Sequence, residues 1–111
     1  MLVLPIKGKW FDMILAGEKK EEYRNYSPYW ITRFANIGML ERIQGDVYKP
    51  TDTHRLVKFR NGYSSVSRAF VAEAGLSIGY GKPAWGAKPN EKYLILTVVK
   101  IVEVSGYEKD M

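Results

Sequence analysis

The chain has 111 residues, enough for one hydrophobic core, and its 46% hydrophobic and 26% charged content is that of a folded protein rather than a disordered one. Cysteine is absent and histidine occurs once, as His54, which excludes disulfides, thiolate chemistry and cysteine zinc sites and argues against a structural metal. Seventeen basic against twelve acidic residues leave a formal charge of +5, a bias toward polyanions that by itself selects none.

MLVLPI reads as a buried strand ending near Pro5 to Lys7. Trp10, Phe11, Met13, Ile14 and Leu15 then follow the three-and-four spacing of a helix with one apolar face, which Gly17 stops as a C-cap. Residues 17 to 24, GEKKEEYR, hold six charged side chains in eight. From Lys20 the run alternates as a strand does, with Lys20, Glu22 and Arg24 on one face and Glu21 and Tyr23 on the other. Lys19 joins Glu22 and Arg24 only if the chain is still unwinding after the glycine.

Ser27 followed by Pro28 predicts a helix N-terminus, and Tyr26, Trp30, Ile31, Phe34 and Ala35 supply an apolar stripe to about Asn36. Residues 38 to 54 carry Gly45, Asp46 and Pro50 as breakers and read as a long loop with at most one helical turn. LVKFRNGY is a strand running into Asn61 and Gly62, a serine-rich turn at Ser64 to Ser67 follows, and RAFVAEAGLSIGYG is a second strand. GKPAWGAKPN is an exposed connection, and YLILTVVKIVEV closes the sequence as a long strand buried on both faces at its centre. The order predicts a single α+β domain of residues 1–111 whose sheet curls into a small barrel to manage its edges. The apolar stretches are too short to span a bilayer and no leader pattern stands at the start, so the expected setting is cytoplasmic, with no membrane partner.

Gly17, Lys19, Glu22 and Arg24 fit the signature G-x-K-x-x-E-x-R, and here the chain resembles the ASCH family of PUA-like β-barrels. LPIK before the first helix, FRNGY in the middle and GYGKPAWGA before the last strand look like segments of bacterial and phage ASCH proteins, so the resemblance covers most of the chain apart from residues 38 to 54. It implies a curled barrel of five or six strands with two or three short helices, and a cleft lined by the motif side chains. Family members are generally regarded as RNA-binding modules, some small ones hydrolyse acetylated cytidine, and nuclease activity has been attributed to others.

Two cations flanking one carboxylate favour its ionised form, so Glu22 reads as an orienting group rather than a proton carrier. Lys19 and Arg24 would then meet a phosphate or a base edge, with Glu22 accepting from a base amino group or a ribose hydroxyl. In the acetylcytidine hydrolases the position equivalent to Glu22 is a threonine nucleophile activated by the preceding lysine, and this chain keeps Lys19 while replacing the hydroxyl by a carboxylate. Lys19 and Glu22 are thus also the candidate catalytic residues of a ribonuclease or amidohydrolase. A module that recognises a modified base in DNA is a third reading.

Several further residues are candidates for the same cleft. Lys7 offers positive charge at the end of the first strand, or is a surface lysine. Arg60 and Asn61 reach a phosphate or base, or are a strand residue and half of a turn. Trp85 is either a stacking surface at the cleft or a lid folded back over the barrel end. Trp10, Tyr23, Trp30 and Phe34 are assigned to the core by their spacing, and His54 to a polar loop. The glycines of GLSIGYGKP lack the helix start of a phosphate-binding loop. Neither a cofactor nor a metal is expected; the expected partner is RNA or a nucleotide-like ligand.

Overall fold

The computed structural model describes residues 1–64 and 66–106. Strand β1 (Leu2–Ile6), helix α1 (Gly8–Leu15), strand β2 (Glu21–Asn25) and helix α2 (Pro28–Asn36) come first. Strands β3 (Leu40–Gln44), β4 (Val47–Pro50), β5 (Arg55–Asn61), β6 (Ala69–Tyr80) and β7 (Lys92–Ser105) follow, with a 3-10 turn at Pro83–Trp85 before the last. The fold is α+β: five strands form a mixed sheet in the order β1-β5-β6-β7-β2, and β3 and β4 form a separate hairpin. The predicted strands and both helices are present, and Ser65 of the expected serine-rich turn lies outside the described residues. Among the described residues no helix is long and apolar enough to cross a membrane.

β1 runs parallel to β5, and every other neighbour in the sheet is antiparallel. In the β6–β7 ladder, Val71 faces Glu103 while Ala72 faces Ile101, and Glu73 faces Lys100 while Ala74 faces Val98. β7 therefore carries an extra residue at two points, and such bulges bend a strand and increase its twist. The curled sheet encloses one main core in which Leu4, Phe11, Phe34, Phe59 and Leu94 are wholly buried. Phe70 stands between Phe59 and Phe11, with ring centroids 4.9 and 5.1 Å away. The ladder leaves β1 and β2 as the two edges of the sheet. A side chain bridges them: Arg24 on β2 donates from Nη2 to the carbonyl of Pro5 on β1 at 2.9 Å.

Residues 38 to 54 correct the sequence reading, for they hold the β3–β4 hairpin instead of a loop. Gly45 and Asp46 are its two-residue turn, with Gly45 at a φ of 51°. The alternation that marks a half-buried strand is missing because Glu41 to Val47 are all exposed and no face needs to be apolar. The arm is tied down at its base, where Thr51 N–H donates to the Met39 carbonyl at 3.0 Å and its hydroxyl to that of Gly38 at 2.6 Å.

Phe70→Ala is expected to cost about 3–5 kcal/mol of unfolding free energy, because it opens a cavity between two packed rings. Ile43→Ala, on the exposed arm, is expected to change it by no more than about 0.5 kcal/mol. Urea titration of the two variants checks both.

Candidate functional site

Helix α1 ends in a glycine motif that sets the position of everything after it. Gly17, at a φ of 79°, donates its N–H to the Ile14 carbonyl at 3.0 Å, and Glu18 donates to that of Met13 at 2.9 Å. This paired arrangement satisfies carbonyls left open by the last helical turn and needs the left-handed conformation that glycine adopts freely. Lys19 N–H also reaches the Met13 carbonyl, at 3.1 Å, so the chain is still wrapping the helix end when Lys19 is placed. The condition for Lys19 to join Glu22 and Arg24 is met.

The Lys19 side chain is wholly buried, and its ammonium has three partners for three protons. Nζ donates to the carbonyl of Glu21, to the carbonyl of Trp85 at 2.8 Å, and to Glu22 Oε1 at 3.2 Å. The rings of Trp10 and Tyr23 lie 5.0 and 4.9 Å away. Burial pulls the Lys19 ammonium below its ordinary pKa, and the Glu22 carboxylate opposes that pull. Arg24 takes the other side of Glu22: Nη1 pairs with Oε2 and donates to the Tyr23 carbonyl at 2.7 Å. The motif is a line of three charges with the carboxylate in the middle.

Glu22 and Arg24 line a cleft of about 830 Å³ between the edge strands β1 and β2, with Val3, Pro5 and Ile6 on the opposite side. Trp10, Tyr23, Tyr29, Trp30, Tyr63, Trp85 and Tyr93 contribute rings, Lys7, Arg33 and Lys88 contribute cations, and Glu91 a second carboxylate. The Arg24 guanidinium lies 5.2 Å over the Trp30 ring. Lys19 does not line this cleft. It sits beneath, and the expectation that it meets a phosphate directly is corrected by its burial.

The segment after β6 closes one wall. Tyr23 and Tyr93 belong to a small second cluster with Ala87 and Ile95, against which Trp85 packs. The two tyrosine hydroxyls accept from the N–H groups of Lys82 and Lys88, each at 2.9 Å. Gly81 passes so close to Tyr23 that a Cβ would stand 2.5 Å from its ring, so this position admits only glycine. Trp85 both packs against this cluster and lines the cleft.

Of the other predicted residues, Lys7 is exposed and lines the cleft. Arg60 and Asn61 do not line it, whereas the next two residues, Gly62 and Tyr63, do. Asn61 serves the turn: its N–H donates to the Arg68 carbonyl at 2.9 Å, and Gly62 has a φ of 81°. Tyr23 and Phe34 are buried as expected, and Trp10 and Trp30 pack against the core as expected but are half-buried and also line the cleft. His54 places Nδ1 2.7 Å from Glu73 Oε2, away from the cleft. Tyr29, Arg33, Tyr63, Lys88, Glu91 and Tyr93 also line the cleft, beyond the predicted residues. An Arg four residues after a Tyr on a predicted helix was the one available signal, since such pairs share a face. Compared with models of known families, with curated proteins and with solved structures, the chain matches none.

Burial pushes the Tyr23 phenol up to about 12, and its hydrogen bond to Glu21 at 2.7 Å adds to the shift. Because the folded value lies above the unfolded one, the stabilisation is whole below pH 10 and is lost as pH rises through about 12. The stability advantage of the native protein over Tyr23→Phe should therefore shrink across that window. Urea titrations of both proteins from neutral to alkaline pH measure it.

Proposed function

We propose that the chain is an ASCH-type domain of the PUA-like class that binds RNA or a nucleotide-like ligand in the cleft between β1 and β2. The observation that carries this reading is the make-up of the cleft: a paired Glu22 and Arg24, surrounding aromatic rings, and Lys7, Arg33 and Lys88 among the lining residues. Unpaired bases stack on such rings, phosphates meet such cations, and a carboxylate accepts from base amino groups or a ribose hydroxyl. The three charged members of the G-x-K-x-x-E-x-R signature are in contact, which supports the family resemblance.

Lys19 acts from below in this reading. With its three protons engaged, it holds Glu22 and the Trp85 carbonyl in place, and Arg24, which itself donates to Glu22, Tyr23 and Pro5, is the motif cation that lines the cleft. Lys19 stands 3.2 Å from Glu22, where a lysine would activate a nucleophile at that position, but the residue there is a carboxylate already paired with two cations, which favours binding over the hydrolytic readings. Each Glu22 oxygen has one cationic partner and retains acceptor capacity, so the pair can orient a ligand edge that donates to it.

Fluorescence anisotropy of a labelled single-stranded RNA and its DNA counterpart, titrated in rising salt and followed by a gel of the same samples, tests the reading. Saturable RNA binding with an intact strand is expected. Arg24→Gln should weaken it about tenfold or more, the scale of a lost charge-assisted hydrogen bond. In Lys7→Ala with Lys88→Ala, two exposed positions, the slope of log affinity against log salt should be shallower by about 1.4, at about 0.7 per phosphate contact on a single strand. Equal weak binding by all three proteins would overturn the reading. A cleaved strand would replace it by a nuclease, and a preference for DNA would replace RNA as the partner.

A further inference from the structure

Resting on the nucleotide-binding reading of the same cleft, we propose that it takes a single strand of at least two nucleotides, with Tyr29 and Arg33 of α2 as the platform for the second base. A chain of contacts leads from the charged motif to this helix. Arg24, paired with Glu22, lies 5.2 Å over the ring of Trp30. Arg33, one turn further along α2, has its guanidinium 5.8 Å from the same ring and 3.4 Å over that of Tyr29. Tyr29 and Trp30 meet edge to face, with centroids 5.0 Å apart and planes at 84°. Cations and rings therefore alternate from Glu22 to Tyr29, and all five residues line the cavity.

The two ends of this ladder differ in exposure. The Glu22 side chain is 7% exposed, whereas Tyr29 is 56% exposed. Arg33 is also held in place before any ligand arrives, because Nη1 donates to the Tyr29 carbonyl at 3.2 Å. A ring carrying a fixed guanidinium offers an unpaired base a stacking surface, and it places positive charge where a linking phosphate runs. A mononucleotide held at Glu22 and Arg24 would leave that surface empty. The cavity, at about 830 Å³, is near the upper end of the range of about 300–1,000 Å³ for small-molecule sites and has room for a longer ligand.

Helical neighbours such as Tyr29 and Arg33 also pair simply to support a helix, and the experiment separates the two roles. The full chain is titrated calorimetrically with the four ribonucleoside 5′-monophosphates and with the corresponding homodinucleotides and homotrinucleotides. For the base that binds best, the dinucleotide should bind about tenfold more tightly than the mononucleotide, the scale of one stacked base. Tyr29→Ala and Arg33→Gln should each collapse that ratio toward one, with circular dichroism confirming an unchanged fold. Equal affinity for mono- and dinucleotide in the native protein would overturn the two-nucleotide strand and leave the nucleotide site standing. A ratio unchanged in both variants would overturn the platform and leave Tyr29 and Arg33 as a helix-supporting pair. Failure of every probe to bind would overturn both this inference and the reading on which it rests.

Discussion

A buried ammonium group is tolerated when all of its protons are hydrogen-bonded, and the arrangement around Lys19 is what that requirement produces. Its three partners come from two places in the chain: the Glu21 carbonyl and the Glu22 carboxylate at the start of β2, and the Trp85 carbonyl in the segment before β7. The aromatic faces of Trp10 and Tyr23 complete the enclosure, so helix α1, strand β2 and the 81–88 segment are tied at one point. The attraction within such a buried pair is largely offset by the cost of removing both charges from water. What it fixes here is position: Glu22 cannot turn away from the cleft without taking its carboxylate from the buried Lys19 ammonium.

The cleft itself follows from how the sheet fails to close. β1 and β2 are the edges of a strongly curled sheet, and Arg24 spans the gap to the Pro5 carbonyl in place of a ladder. Proline has no N–H to offer a neighbouring strand, so its carbonyl remains the group available to a side chain. The unpaired edge that would invite aggregation in an open sheet is turned inward and lined with rings and cations. The same guanidinium that bridges the seam pairs with Glu22 and lies over Trp30, which joins the curl of the sheet to the chemistry of the cleft.

Much of this was readable from the residues, for reasons that also explain the failures. Gly17 after an apolar helical stripe, alternation through KEEYR, and Ser27-Pro28 ahead of a second stripe are local signals with local causes, and the elements they predict are present. The β3–β4 arm was missed because both of its faces are largely solvated and leave no apolar period to read. Trp10 and Trp30 were assigned to the core because helical spacing reports which side faces the protein. It does not distinguish a filled interior from a lined cavity. Lys19 was expected at the ligand because charge suggests exposure; its enclosure depends on Trp85, 66 positions away, and no local pattern carries that contact. Arg60 and Asn61 missed the cleft by one or two residues, the distance over which a turn reverses the chain.

The most direct measurement is lysine labelling of the folded protein with acetic anhydride, with the rate at each site read by mass spectrometry. Lys7 and Lys88, exposed at the cleft, should react readily, and Lys19 should stay protected until the protein is unfolded in urea. Labelling of Lys19 at a rate like theirs under native conditions would contradict the account, because it would put the ammonium in the cleft rather than beneath it.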